Sequence, residues 1–140
     1  MSVDDVPVQE TWARLQSSKA AVLIDVRTKA EWTFVGLPDL SGLDRQVLTL
    51  EWQSLDGRVD PEFAVRLSRI LEQAGKAKDT DLFFICRSGA RSRSAAEVMT
   101  SVGYSRCHNV ADGFEGPPDA RRHRGTVAGW KAAGLPWAQG

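Results

Sequence analysis

Cys86-Arg87-Ser88-Gly89-Ala90-Arg91-Ser92 brings a thiol, two guanidinium groups, two hydroxyls and a glycine into seven consecutive residues. That combination suits nucleophilic attack on an anionic substrate. The attacking form of cysteine is the thiolate, and cationic neighbours or a helix N-terminus can lower a thiol pKa to roughly 3.5–7.5. Ser88, Gly89 and Ala90 are small, so the loop can curl until its backbone N–H groups converge on one point. A lone free cysteine is ordinarily an inert core thiol. The company Cys86 keeps makes it the candidate nucleophile instead, with Arg87 to Ser92 as the candidate anion cradle.

Those residues need a strand before them and a helix after them. Leu82 to Ile85 is a short apolar run that suits a buried strand, and Cys86 stands at its end. Beyond the loop, Ala95, Val98, Met99 and Val102 recur at the spacing of one helix face, and Gly103 can close that helix in a left-handed conformation. Ala20 to Val26 is a second continuous apolar run, the mark of a central parallel strand covered on both faces. Asp25, Arg27 and Glu31 lie at or just after its C-terminal end, where open α/β sheets bind ligands, so a structural Asp–Arg pair and a supporting role at the site both stand open.

The remaining chain supplies further layers. Val6-Pro7-Val8 reads as an edge strand leading into a short helix with Val8, Trp12 and Leu15 on one face. Thr33 to Asp44 reads as a loop, and Arg45 to Trp52 contains another strand at Val47 to Leu50, followed by a turn at Asp56-Gly57. Asp60-Pro61-Glu62 has the cap, proline and acid of a helix start; Phe63, Leu67, Ile70, Leu71 and Ala74 continue one face to a stop at Gly75. Tyr104 to Val110 reads as a late strand whose closing turn, Ala111-Asp112-Gly113, returns near Cys86 and makes Asp112 a candidate supporting residue. Thr126 to Gly134 is expected to be a final helix, capped by Thr126 and ended by Gly134 and Pro136. Alternating strands and helices joined by short connections predict an α/β fold with a parallel sheet between helix layers.

Composition sets the outer bounds. The 140 residues are read as one domain, 1–140, long enough to bury a core without staples. Lys plus Arg and Asp plus Glu both number 18, so no whole-chain charge draws the protein to nucleic acid or to a membrane; attraction for anions must be local. Two cysteines without a CxxC pair speak against a disulfide scaffold and a cysteine zinc site, and His108 and His123 lack metal-ligand spacing, so no metal is expected. No apolar stretch approaches a membrane span, and the first residues lack the regions of a signal peptide, which makes a cytoplasmic setting the expectation. Arg121-Arg122-His123-Arg124 is the densest basic run, read first as solvated surface and second as an anion or partner contact. The five tryptophans are scattered, as packing residues are.

The loop from Cys86 to Ser92 resembles the active-site loop of the rhodanese family, a cysteine followed by four residues, an arginine and a small hydroxyl residue. Asp25-Val26-Arg27 followed by Glu31-Trp32 is similar to the family's Asp-Val-Arg and acidic-aromatic pair. Asn109 to Phe114 resembles its late strand and glycine-containing turn, and Trp130 to Pro136 its closing helix. Two departures stand out: Gly36-Leu37-Pro38 replaces a Gly-His-Ile-Pro pattern, and Glu115 to Gly125 is longer than the simplest members need. The resemblance implies a rhodanese-like three-layer sandwich, a five-stranded parallel sheet with helices on both faces.

It also implies sulfur transfer. The Cys86 thiolate would take the outer sulfur of a small anionic donor such as thiosulfate, pass through a covalent persulfide, and yield the sulfur to a thiol or cyanide acceptor without metal or organic cofactor. Arg87, Ser88, Gly89, Ala90, Arg91 and Ser92 would bind the substrate, with a protein sulfur donor or acceptor as a further kind of partner. Two other classes compete. Cysteine-dependent phosphatases use a similar cradle but place five residues between cysteine and arginine, against four between Cys86 and Arg91, and only Asp112 offers itself as a general acid. A non-catalytic persulfide carrier or interaction module would use the same loop and could dock through Arg121 to Arg124. A Cys86–Cys107 disulfide is disfavoured, because one residue ends its strand and the other begins its own.

Overall fold

A computed structural model describes residues 3–139. Met1, Ser2 and Gly140, the outermost residues of the expected 1–140 domain, lie outside the described residues. Five parallel strands form the main sheet: β1 (Asp4–Val6), β2 (Val22–Asp25), β4 (Leu48–Thr49), β5 (Leu82–Ile85) and β6 (Cys107–Val110), in the order β1-β6-β5-β2-β4. The apolar run Leu82–Ile85 thus occupies the centre, fully buried, with Leu82 to Ile85 paired to Val22 to Asp25 on one side and Leu82 to Phe84 paired to Cys107 to Asn109 on the other.

Side-chain alternation along these strands sends two cores to opposite faces. Ile24, Leu82, Phe84 and Cys86 face α3 (Phe63–Gln73) and α4 (Ala90–Ser101), meeting Phe63, Leu67, Leu71, Ala95 and Met99. Leu23, Phe83, Ile85 and Val110 face the other way, toward Val8 and Leu15 of α1 (Val8–Ser17) and toward Phe114 and Trp130 from the C-terminal segment. Each large apolar side chain buried in these layers contributes about 1.5–3 kcal/mol. The expected three-layer α/β sandwich, a five-stranded parallel sheet with helices on both faces, is therefore the observed fold, and the cysteine side chain points into the α3/α4 layer.

Several boundaries differ from expectation. The segment expected to be loop from Thr33 begins inside α2 (Lys29–Phe34), whose start is a full capping box between Thr28 and Glu31. It then contains β3 (Leu37–Pro38) and a single 3-10 turn at Ser41–Leu43. The Asp60 carboxylate does accept from the Glu62 N–H at 2.9 Å, but the α3 helix is regular only from Phe63. Ala74 and Val102, assigned to buried helix faces, are exposed, because each stands at a C-cap where the chain is already leaving its helix. The expected helix from Thr126 to Gly134 is absent. Gly129 there has φ 97°, and its backbone packs against Asp112, Gly113 and Gly116, so the chain turns instead of winding. Thr126 donates to Asp119 rather than capping a helix. Trp130 is nevertheless fully buried, its indole N–H donating to the Pro136 carbonyl at 2.7 Å, and the chain ends in β7 (Trp137–Ala138), antiparallel to β3.

Candidate active site

The loop after β5 is held by backbone geometry. Gly89, at the N-cap of α4, has φ 120°, a conformation that favours glycine, and its N–H donates to the Cys86 sulfur at 3.1 Å. Ser92, one turn into the helix and fully buried, places its Oγ 3.1 Å from the same sulfur. From the other side, the turn after β6 seals the loop: Phe114 N–H donates to the Cys86 carbonyl at 2.8 Å, and Glu115 and Gly116 donate to Arg87 at 3.0 and 3.1 Å. This approach leaves no room at Gly113, where a Cβ would stand 2.7 Å from the carbonyl carbon of Arg87.

Cys86 is only 1 % exposed, and an open cleft of about 570 Å³ lies against its loop, bordered by Arg87, Arg91, Glu31, Glu115, Arg124, Phe34 and Leu55. Arg87, Ser88 and Ala90 are exposed, whereas Arg91 is half-buried. Arg91 does not face the cleft as a bare cation: its guanidinium is forked onto Glu31, at 2.7 and 3.0 Å. That bond chiefly holds Arg91 in its cationic form, with Cys86 and Asp25 adding favourable coulombic interactions. Burial pushes the Glu31 carboxyl up, but the Arg91 bond and charge and the Thr28 N–H outweigh it and hold it below the usual carboxylate range. The Thr28-x-x-Glu31 spacing is that of a capping box, a local signal from which the start of α2 could have been read, though not the contact between Glu31 and Arg91.

Asp25 and Arg27 resolve as a structural pair. Both are fully buried, with Arg27 Nη2 2.7 Å from the Asp25 carboxylate and also donating to the Gly36 carbonyl at 2.7 Å. The guanidinium stacks on Phe114 at 4.3 Å, and Nη1 has no partner among the described residues. The pair therefore supports the loop from beneath, through Phe114 and its bond to Cys86, and holds the path of Gly36 where the familiar histidine is missing. Asp112, in contrast, is exposed with φ 65° and borders a different pocket, with Pro7, Val8 and Ala128. It is not brought to the cleft.

Of the basic run, Arg124 reaches the cleft, donating to the Gly116 carbonyl at 2.7 Å, while Arg121, Arg122 and His123 are exposed. Asn109 was not singled out by sequence. It links Ser92 to Asp5 on the edge strand, a contact across 104 residues that no local spacing reveals. Cys107 stands level with Leu82 in the sheet, four residues before Cys86, or about 13 Å along the strand. Both cysteines are free, and burial pushes the Cys107 thiol up. His108 bonds to Asp4 and Asp81 at 2.6 and 2.8 Å and stacks on Phe83, at the far end of the sheet from the cleft. Among the described residues there is no group of three or more His, Cys, Asp or Glu placed to hold a metal, and no helix is long and apolar enough to cross a membrane.

The family described as the STR4 middle domain matches residues 4–140. The chain belongs to this rhodanese-like family. An uncharacterised protein of Rickettsia conorii is 36% identical over 137 residues, covering 98% of both chains. A sulfurtransferase of Allochromatium vinosum is 27% identical over 134 residues, covering 96% of this rhodanese-like chain and 94% of its own. Among solved structures, Rv0390 from M. tuberculosis superimposes with a TM-score of 0.86 at 44% identity, over 100% of both chains.

Proposed function

We propose that this rhodanese-like domain is a sulfurtransferase that carries a sulfane sulfur on Cys86. The observation that carries the reading is the placement of one buried sulfur at the C-terminal end of the central strand, receiving the Gly89 N–H, beside Arg91 and below a cleft edged by Arg87 and Arg124.

The chemistry is a pair of displacements at sulfur. The Cys86 thiolate attacks the outer sulfur of thiosulfate; a new S–S bond forms, the donor's S–S bond breaks, and its electron pair leaves with sulfite. A thiolate or cyanide then attacks the outer sulfur of the persulfide, and the pair from that S–S bond returns to Cys86. Arg87 and Arg124 draw the anionic donor into the cleft, and Arg91, oriented by Glu31, lends positive potential near the sulfur. Splitting the transfer in two lets donor and acceptor use the same small opening in turn.

Thiocyanate formation from thiosulfate and cyanide tests the reading. Turnover by the protein, with loss of at least about a hundredfold in Cys86→Ser, is the expected result. Hydrolysis of an aryl phosphate that disappears in the same variant, without sulfur transfer, would overturn it.

A further inference from the structure

Three acceptors surround the single hydroxyl proton of Ser92: Asn109 Oδ1 at 2.5 Å, the Cys86 sulfur at 3.1 Å and the Gly89 carbonyl at 3.2 Å. Which one receives it follows from the far side of Asn109. The Asn109 amide nitrogen lies 2.9 Å from the Asp5 carboxylate and 3.1 Å from the Gly89 carbonyl, and neither group can donate. Both amide hydrogens are therefore committed there, and the amide oxygen must be the atom that meets Ser92. Asp5 is itself fixed by Arg93 at 2.6 Å; the Asn109 bond first, then Arg93, holds its carboxyl below the usual range and so in the accepting form. An acceptor clamped in this way, at the shortest of the three distances, takes the serine proton. The hydroxyl is left able to accept a hydrogen bond from a Cys86 thiol but not to donate one to a thiolate.

We propose that Asn109, clamped by Asp5 and Gly89, is a positioning residue that competes with the Cys86 sulfur for the Ser92 proton. In the resting state Ser92 serves Asn109. When the sulfur becomes anionic, as thiolate or persulfide, the hydroxyl must turn away from Asn109 to stabilise it. The clamp thereby opposes ionisation in the empty enzyme and makes the serine's contribution conditional on charge at the sulfur. This inference rests on Cys86 being the nucleophile of the proposed reaction, but not on the identity of donor or acceptor.

The charged groups around the sulfur are Arg91 of α4 with Glu31 of α2, Arg87 of the loop, the Asp25–Arg27 pair beneath Phe114, and the Asp5–Arg93 pair behind Asn109. The test is the pH profile of iodoacetamide alkylation at Cys86, followed by peptide mass so that Cys107 does not contribute. It reads the thiol directly, so it is independent of whether the protein transfers sulfur. Asn109→Ala is expected to move the midpoint to lower pH, with alkylation below the wild-type midpoint faster by at least about threefold, the equivalent of half a pH unit. Asp5→Ala, at a side chain 56% exposed and so a safe second variant, is expected to move it in the same direction by less. Both shifts should vanish in a Ser92→Ala background. Midpoints that stay fixed in Asn109→Ala and Asp5→Ala, or shifts that persist without Ser92, would overturn the proposal; a change in plateau rate alone would report access to the thiol and count against it equally.

Discussion

Glu31 shows how one side chain can serve both folding and chemistry. It completes the capping box of α2 and forks onto Arg91, which stands beside the proposed nucleophile, Cys86. Its folded pKa lies below the ordinary value of about 4.3, so its stabilising contribution is complete above that pH and is lost as pH falls through the lower folded value. Glu31→Gln should cost about 1–2 kcal/mol in urea denaturation at pH 7, between the worth of exposed and buried pairs, and the gap to wild type should narrow below about pH 4. The opposite trend, a gap that widens in acid, would show that the carboxylate is not what stabilises α2. Arg27 is buried without compromise, and Arg27→Met strands the Asp25 carboxylate in the core; a loss of about 3–5 kcal/mol is expected by the same measurement. Cys86 to Ser92 was legible as one local run, and Asp25, Arg27 and Glu31 as residues at the end of the next apolar strand, but not the partners that each would meet. Glu31 and Asn109 reach the site across 60 and 17 residues, and only the sheet order brings them there.

At the scale of elements, the site is a junction between the end of β5, the start of α4 and the turn after β6. The first two were legible because their signals are local: an apolar run, small loop residues, then apolar residues at helical spacing. The third was legible as a turn but not as a seal. Nothing in Ala111-Asp112-Gly113 states that Gly113 lies against the backbone of Arg87, and this is also why Asp112 points elsewhere. The last segment misled because Thr126, Val127, Trp130 and Gly134 imitate a helix, whereas Gly129 at φ 97° lets the chain fold back onto the β6 turn. Gly113→Ala should therefore do more than strain one residue. It pushes the loop that carries Cys86, and it is expected to cost about 1–3 kcal/mol and to slow thiocyanate formation at least about tenfold. A variant with full activity would show that the loop does not need this contact.

Across the whole molecule, a chain of balanced charge leaves a small local excess of cations at one opening, where Arg87, Arg91 and Arg124 stand against Glu31 and Glu115. Arg87 and Arg124 edge the cleft, with the exposed Arg121 and Arg122 on the segment that leads into it, while Glu31 is already spent on Arg91. Attraction for the proposed anionic donor is thus local and sensitive to screening, since the Debye length is about 8 Å at physiological ionic strength. Raising salt from low to moderate concentration should raise the thiosulfate KM, and Arg124→Ala should raise it about two- to fivefold with kcat little changed, because Arg124 lies at the rim and not at the sulfur. Equal KM values for wild type and variant at low salt would remove Arg124 from donor binding. Phe34 and Leu55, 76% and 77% exposed, give the same opening an apolar rim beside its cations. The central claim, that Cys86 carries the transferred sulfur, is tested most directly by the intact mass of the protein after thiosulfate treatment, beside Cys86→Ser. One added sulfur, absent from the variant and removed by cyanide, is the predicted result; sulfur that loads equally onto Cys86→Ser, or thiocyanate turnover undiminished in that variant, would contradict it.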